Sequence, residues 1–531
     1  MREIVYLQAG NIANHIGTHF WNTEEAYFHY DDDGDQSKDD DRSIKYVDHD
    51  VSFREGLAYD GSSTYCPRLL VFDSRDNFGA RARINDLYEG DRSLGSNVGP
   101  IEEVIQPPIE PSTYQKELDS EYSSQRQAGE RSKTAETPQM VRYWSDYNRV
   151  YWSPRTMHPV YWGTSGAGAV RSTGKQMFDR IESETNVTED SLRLFVEECD
   201  LLQGFQATID TTTFGSFMIS LLECMHEEYP KTPILSIVNL SDVVRPTFDN
   251  INIHEALDVI GDAFILRDLS SSLSSITIPL QSSSAWRLPL GDSALDLDAS
   301  SVYHTSALLS AHLESVTMPF RAKHDKVDMH TFCNQLNARG DTRITQLLGL
   351  FPIPQSPEAS YDPYDFSVLL DVFPSRKENK PLISRFSQRA VVRTDVPTNV
   401  PSIAKRIATE STHVGLDESL LFISSYPAYP MPSSYPHILR VRTGNTGRQN
   451  VASLISSLTT TSTTSQAIMA YARYVSAFIK GGDVSSDVWD GIGKDELREL
   501  SEDLIKIGEA YWTEIEDEDG AEESADFELD L

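Results

Sequence analysis

The chain has 531 residues, 39% of them apolar and 24% charged, which is enough for two or three domains with a sizeable core. Its 46 basic against 81 acidic residues give a net charge of −35, and with no basic patch this excludes direct nucleic-acid binding. No stretch approaches the ~18 uninterrupted apolar residues of a membrane span, so a soluble or peripheral protein is expected.

The four cysteines, Cys66, Cys199, Cys224 and Cys333, form no CxxC pair and no Cys/His cluster. A zinc module is therefore not expected, and reduced thiols in a cytosolic setting are. The N-terminus lacks the long apolar region of a signal peptide, and Glu3, Glu24 and Glu25 are foreign to a mitochondrial presequence. Any organelle association is then expected to come through internal signals or partners.

In chain order, residues 2–8 (REIVYLQ) predict a short buried strand, followed by a turn at Gly10 and a helix carrying Ile12, Ile16, Phe20 and Trp21. Residues 31–41 hold seven acids and read as a solvated loop. They lack the D-x-[DN]-x-[DN]-G order of a calcium loop. A second strand is predicted at 68–76 (RLLVFDSRD), meeting Asp73 near its end. Residues 85–140 look like a long surface insertion, and the aromatic stretch 143–163 a packed return to the core.

Helices are predicted at 173–184 and 188–205, the second capped by Thr188. A polar turn at 207–213 leads into a further helix that stops before Pro230, and a strand follows at 234–240. The Ser/Thr-rich segments 270–284 and 457–465 read as loops or helix-flanking pieces. Strand-like runs at 367–373, 389–394 and 437–443 suggest a second α+β layer. The end is helical, with a disordered tail at 514–531 holding ten acids.

The candidate chemistry sits at two helix starts. A glycine turn that opens a helix after a buried strand offers backbone N–H groups and the positive helix end to an anion. Gly10 and Asn11 occupy that turn, with Asn14 and Gly17 further along. The second start offers the hydroxyls of Thr211, Thr212, Thr213 and Ser216, which equally suit plain helix capping. Asp73 stands where a carboxylate could hold Mg²⁺ or a water, or cap the next turn. The GAGAVRSTGK segment (166–175) is no phosphate loop, because Gly168 and Gly174 enclose five residues and Gln176 follows Lys175. It reads as a surface loop, from which Arg171 or Lys175 could touch a phosphate. No GxSxG elbow or Cys–His pairing points to a nucleophile.

Several segments match a known pattern. MREIVYLQAGNIANHIGTHFW resembles the opening of a tubulin, and CDLLQGFQATIDTTTFGSFMISLLECMHEEYP (199–230) resembles the tubulin phosphate-loop region. SAHLESVTMPFR (310–321) resembles the segment ending in a Pro-aromatic-Pro-Arg run. With its insertions, the chain is identified as similar to the Misato family, in its fungal form. The resemblance implies an α/β, tubulin-like fold. It comprises a doubly wound nucleotide-binding-type domain (1–300, with insertions at about 30–60 and 85–140), an α+β intermediate domain (301–445) and C-terminal helices (446–513), then the tail.

The resemblance also implies a site, with departures. Residual GTP binding would use Gly10, Asn11, Asn14, Asp73, Thr212, Thr213, Gly215 and Ser216. Where tubulins have a glycine-rich loop, this chain reads from Asp210 to Phe217, about two residues shorter, with only Gly215 kept and Phe214 and Phe217 adding bulk. Where a tubulin supplies an acidic residue to its neighbour's nucleotide, His312 aligns, with Glu314 two residues later. A neutral His lacks that fixed charge. The expectation is no catalysis, no metal and no required cofactor, with GTP binding left open. The implied role is the partitioning and inheritance of mitochondria and mitochondrial DNA, at the mitochondrion, through protein partners. The alternatives are a tubulin-assembly factor working with tubulin or chaperonin, and a GTP-binding polymer.

Overall fold

In the computed structural model the described residues are 2–28, 46–57, 63–80, 109–118, 141–160, 171–243, 253–286, 295–353, 364–365, 384–413, 415–439, 451–481 and 492–512. The acidic run 31–41, most of the 85–140 insertion, the strand expected at 367–373 and the tail lie outside them.

Strand β1 (Glu3–Ala9) is buried along its whole length. Its alternating side chains feed two cores: Ile4 and Tyr6 enter one, Val5, Leu7 and Ala9 the other. Helix α1 (Asn11–Glu25) follows at once. Next come β2 (Leu69–Ser74), β3 (Met157–Val160), α2 (Arg171–Thr185), β4 (Leu202–Asp210), α3 (Thr211–Glu228), β5 (Ile234–Asn239), α4 (Ile253–Asp268) and β6 (Ile276–Leu280). The six strands pair in parallel in the order β3-β2-β1-β4-β5-β6. That is the doubly wound order, in which ligands bind outside the carboxyl ends of the strands where the order reverses, here between β1 and β4.

Helix α5 (Val302–Thr317) packs beside α1, and α6 (Met329–Leu336) follows it. The second sheet is built from β7 (Gln346–Leu350), β8 (Tyr364–Asp365), β9 (Arg385–Arg393), β10 (Leu421–Tyr426) and β11 (Leu454–Thr461). Helix α7 (Val400–His413) lies between β9 and β10 in the chain. The strand order is β8-β7-β11-β9-β10, antiparallel except for the β9–β10 pair. Helices α8 (Thr463–Gly481) and α9 (Lys494–Glu509) close the chain and pack with α3 and α4 in the second core.

Several sequence expectations are corrected. The helix expected over 188–205 is helical only in Thr188–Leu192 and Arg193–Glu197, with Val187 rather than Thr188 at the cap. Leu202–Phe205 is the start of β4, held there because Leu202, Gly204 and Phe205 pair with Glu3, Ile4 and Val5. A Cβ on Gly204 would fall 2.8 Å from the Pro233 carbonyl oxygen, so the β4 backbone approaches as only glycine allows. The polar turn expected at 207–213 is the end of β4 and the first turn of α3. Within 270–284 lies β6, fully buried.

Residues 457–461 lie in β11, a central strand, not a loop. Two of its hydroxyls reach partners on other elements: Thr461 Oγ1 donates to Gln346 Oε1 at 2.9 Å and Thr460 Oγ1 to the Leu336 carbonyl at 2.9 Å. Hydrogen-bonded Ser and Thr are thus carried into the interior, where β-branching suits the pleat. The loop expected at 166–175 is helical from Arg171 onward, and Gly174 of α2 sits against Ser216 of α3. None of the four cysteines is in a disulfide; Cys66 and Cys333 are buried and Cys224 is exposed. Among the described residues no helix is long and apolar enough to cross a membrane.

Candidate functional site at the ends of β1 and β4

Gly10 joins β1 to α1 with φ +102° and ψ 164°, a conformation open to glycine but costly for other residues. Having no side chain, it cannot cap α1, and the first N–H groups of that helix need another acceptor. Asp210, the last residue of β4, supplies it. Its Oδ2 accepts the Ile12 N–H at 2.7 Å and its Oδ1 the Ala13 N–H at 2.9 Å. Asn239, at the end of β5, adds its side-chain amide to Oδ1 at 3.2 Å. Burial, reinforced by Asp73, pushes the Asp210 carboxyl up to about 8 against the pull of these donors.

Asp73, at the end of β2, is enclosed by donors. Asn14 Nδ2 (3.0 Å) and Trp144 Nε1 (2.9 Å) donate to Oδ2, and Asn77 Nδ2 (2.8 Å) and the Ser74 N–H (2.8 Å) to Oδ1. Burial nevertheless raises its pKa above the ordinary carboxylate value. Asn14 also donates to the Phe72 carbonyl at 3.0 Å, and its own Oδ1 is buried without a hydrogen-bond partner among the described residues. Asn11 is half-buried at the first position of α1.

The second helix start is arranged differently. Thr211 turns away from the crevice, donating to Asp262 Oδ1 and lying 3.1 Å from the Asn239 carbonyl. Asp262, pushed up to about 7 by burial, also accepts Ser241 Oγ at 2.7 Å. Thr212 is half-buried and Thr213 exposed in the first turn of α3. Gly215 faces α4, where a Cβ would lie 2.1 Å from Ile265 Cδ1. Ser216 is buried beneath Gly174. The fold therefore gathers Gly10, Asn11, Asn14 and Asp73 at one crevice, and directs Gly215 and Ser216 into helix packing.

Residues 2–120 match the family model described as the Misato Segment II tubulin-like domain, and residues 133–322 match the one described as the Tubulin domain. Protein DML1 of Gibberella zeae is 33% identical over 385 residues, covering 69% of this chain and 71% of that protein. Protein dml1 of Aspergillus clavatus is 30% identical over 541 residues, covering 94% and 98%. The chain belongs to the Misato family. Protein misato of Drosophila melanogaster is 25% identical over 370 residues, covering 64% of this chain and 63% of the fly protein.

In this Misato-family chain with its tubulin-like α/β fold, His312 and Glu314 both lie on α5, fully buried. His312 Nδ1 is 2.7 Å from Ser456 Oγ of β11, and burial lowers its pKa to about 3, so the ring is neutral. Glu314 Oε2 meets Arg393 Nη1 at 2.9 Å and its Oε1 lies 3.5 Å from Arg321 Nη2, while Tyr27 donates to Oε1 at 2.9 Å. Sequence reasoning listed neither Asp210 nor Asn239 as a site residue. The signal for Asp210 was its place as an Asp directly before a helix, the usual N-cap position.

Proposed function

We propose that the protein is a non-catalytic, tubulin-like member of the Misato family that acts in the partitioning and inheritance of mitochondria and their DNA by binding other proteins. The observation that carries the non-catalytic part is the placement of Glu314. An acid that assists hydrolysis on a neighbouring subunit has to reach that subunit's phosphate, and this one is enclosed between two arginines of its own chain. The neutral, buried His312 offers no substitute. The mitochondrial part, including localisation there, rests on what the resemblance to the Misato family implies. Partners that are proteins fit the strongly acidic charge.

Two measurements test this reading. Purified full-length protein incubated with GTP and Mg²⁺ is expected to release no phosphate above background, and turnover would sink the non-catalytic part. Depletion in cells is expected to leave mitochondria clumped or unequally inherited. Normal segregation would remove the mitochondrial part.

A further inference from the structure

Asp210 stands at the N-cap of α3 with φ −93° and ψ 118°, the position from which an Asp ordinarily accepts an N–H of its own helix. It makes no such bond. Its two oxygens instead take the N–H groups of Ile12 and Ala13, 198 and 197 residues away at the start of α1. Those are the groups that a phosphoryl oxygen would meet at a helix N-terminus in the crevice of a doubly wound sheet. The fit is close. A Cβ on Gly10 would fall 2.5 Å from both Cβ and Oδ2 of Asp210, so the turn has room for this carboxyl only because residue 10 is glycine. Across the crevice, Asp73 takes the donors of Asn14, Asn77, Ser74 and Trp144.

We propose that the Asp210 carboxyl is a built-in occupant of the phosphate position at the start of α1, so that the chain itself closes a latent phosphate site. The carboxyl's shape and acceptors imitate two phosphoryl oxygens, and its Asn239 contact holds it in place from β5. The residues expected for GTP binding at this turn, Gly10, Asn11 and Asn14, are thus present, and the position they would serve is filled. The proposal deepens the non-catalytic reading by naming what keeps phosphoryl ligands out, and it fails separately from it.

The test uses full-length wild type, Asp210→Ala and Asp210→Ser, titrated calorimetrically with inorganic phosphate and with GTP and Mg²⁺. Wild type is expected to give no heat, and the folded variants to bind phosphate at least roughly tenfold more tightly than wild type. Folded variants that bind no better than wild type would overturn the proposal, as would wild type binding GTP as well as they do. Hydrogen exchange of the peptide spanning Ile12 and Ala13 gives a readout that does not depend on the variants folding. In wild type these amides are expected to be protected and unchanged by phosphate. Free exchange there in wild type overturns the proposal. Phosphate release from GTP is scored in parallel, so that a failed plug with no turnover leaves the non-catalytic reading standing.

Discussion

Arg393, the last residue of β9 in the second sheet, places Nη1 2.9 Å from Oε2 of Glu314 on α5, and both side chains are sealed from solvent. Arg321 continues the cluster, with Nε 2.9 Å from Glu24 Oε1 at the end of α1 and Nη2 3.5 Å from Glu314 Oε1. Arg393 Nη2 also donates to the Tyr27 and Tyr46 hydroxyls at 2.8 and 2.9 Å. Two arginines and two glutamates thus tie α1, α5 and β9 together around a neutral sum. Removing one member leaves a buried charge without its counterpart, whereas replacing a pair by apolar groups of similar volume is far less costly. Arg393→Met is expected to lower unfolding free energy by about 3–5 kcal/mol. Arg393→Met combined with Glu314→Leu should recover much of that loss. Urea denaturation of both variants checks it, and a double variant no better than the single would refute the argument.

The Asp210 contact also has a stability and a pH signature. Asp210→Ala removes the acceptor of two α1 N–H groups and is expected to cost about 1–2 kcal/mol, the scale of a lost N-cap. Folding raises this group's pKa from the ordinary 3.8 to about 8, so the folded state keeps a proton that the unfolded state has lost. That contribution is fully present below about pH 4 and disappears as pH rises through about 8. Asp262, pushed up to about 7 by burial, adds a similar fall below that pH. Burial lowers the pKa of the His15 and His312 rings to about 3, so at and above pH 7 they are largely neutral in both states and contribute little slope. Wild type should therefore lose stability between about pH 7 and 8, at up to about 1.4 kcal/mol per pH unit for one proton. Asp210→Asn should flatten that slope. Urea midpoints at the two pH values decide it, and a midpoint that rises with pH in wild type contradicts the assignment.

What the sequence disclosed follows the range of the interactions. The β1–Gly10–α1 unit was legible because its signals are local: an apolar run, a glycine and then helical spacing. Asp73 could be placed for the same reason, at the end of an apolar strand. The start of β4, 202–205, reads as the end of a helix because it continues an acidic, helix-favouring stretch, and its later residues read as a polar turn; only pairing with β1 and β5 makes the whole segment a strand. In β11 the Ser/Thr content suggested a loop, since the partners of those hydroxyls, among them His312 and Leu336, come from distant parts of the chain. The link between Asp210 and Ile12 was out of reach for a related reason. Periodicity reports which face of an element is buried, not which element 198 residues away lies against it.

Glycines make the last contrast, because those that supply backbone freedom and those that supply room look alike in a sequence. Gly10 supplies both, with φ at +102° and Asp210 atoms 2.5 Å from where a Cβ would stand. Gly215 supplies only room, and the atom it makes room for is Cδ1, the flexible tip of Ile265. At Gly174 the obstacle is rigid, with the Phe217 backbone nitrogen 2.7 Å from the Cβ position. Gly10→Ala therefore strains the backbone and displaces the Asp210 carboxyl together, for an expected loss of about 2–4 kcal/mol. Gly215→Ala asks only for a turn of the Ile265 side chain and gains helix propensity, so its loss should stay within about 1 kcal/mol. Gly174→Ala should fall between them, since α2 and α3 have to move apart. Thermal unfolding of the three variants supplies the order, and a Gly215→Ala loss equal to that of Gly10→Ala would mean that Gly215 does more than admit Ile265.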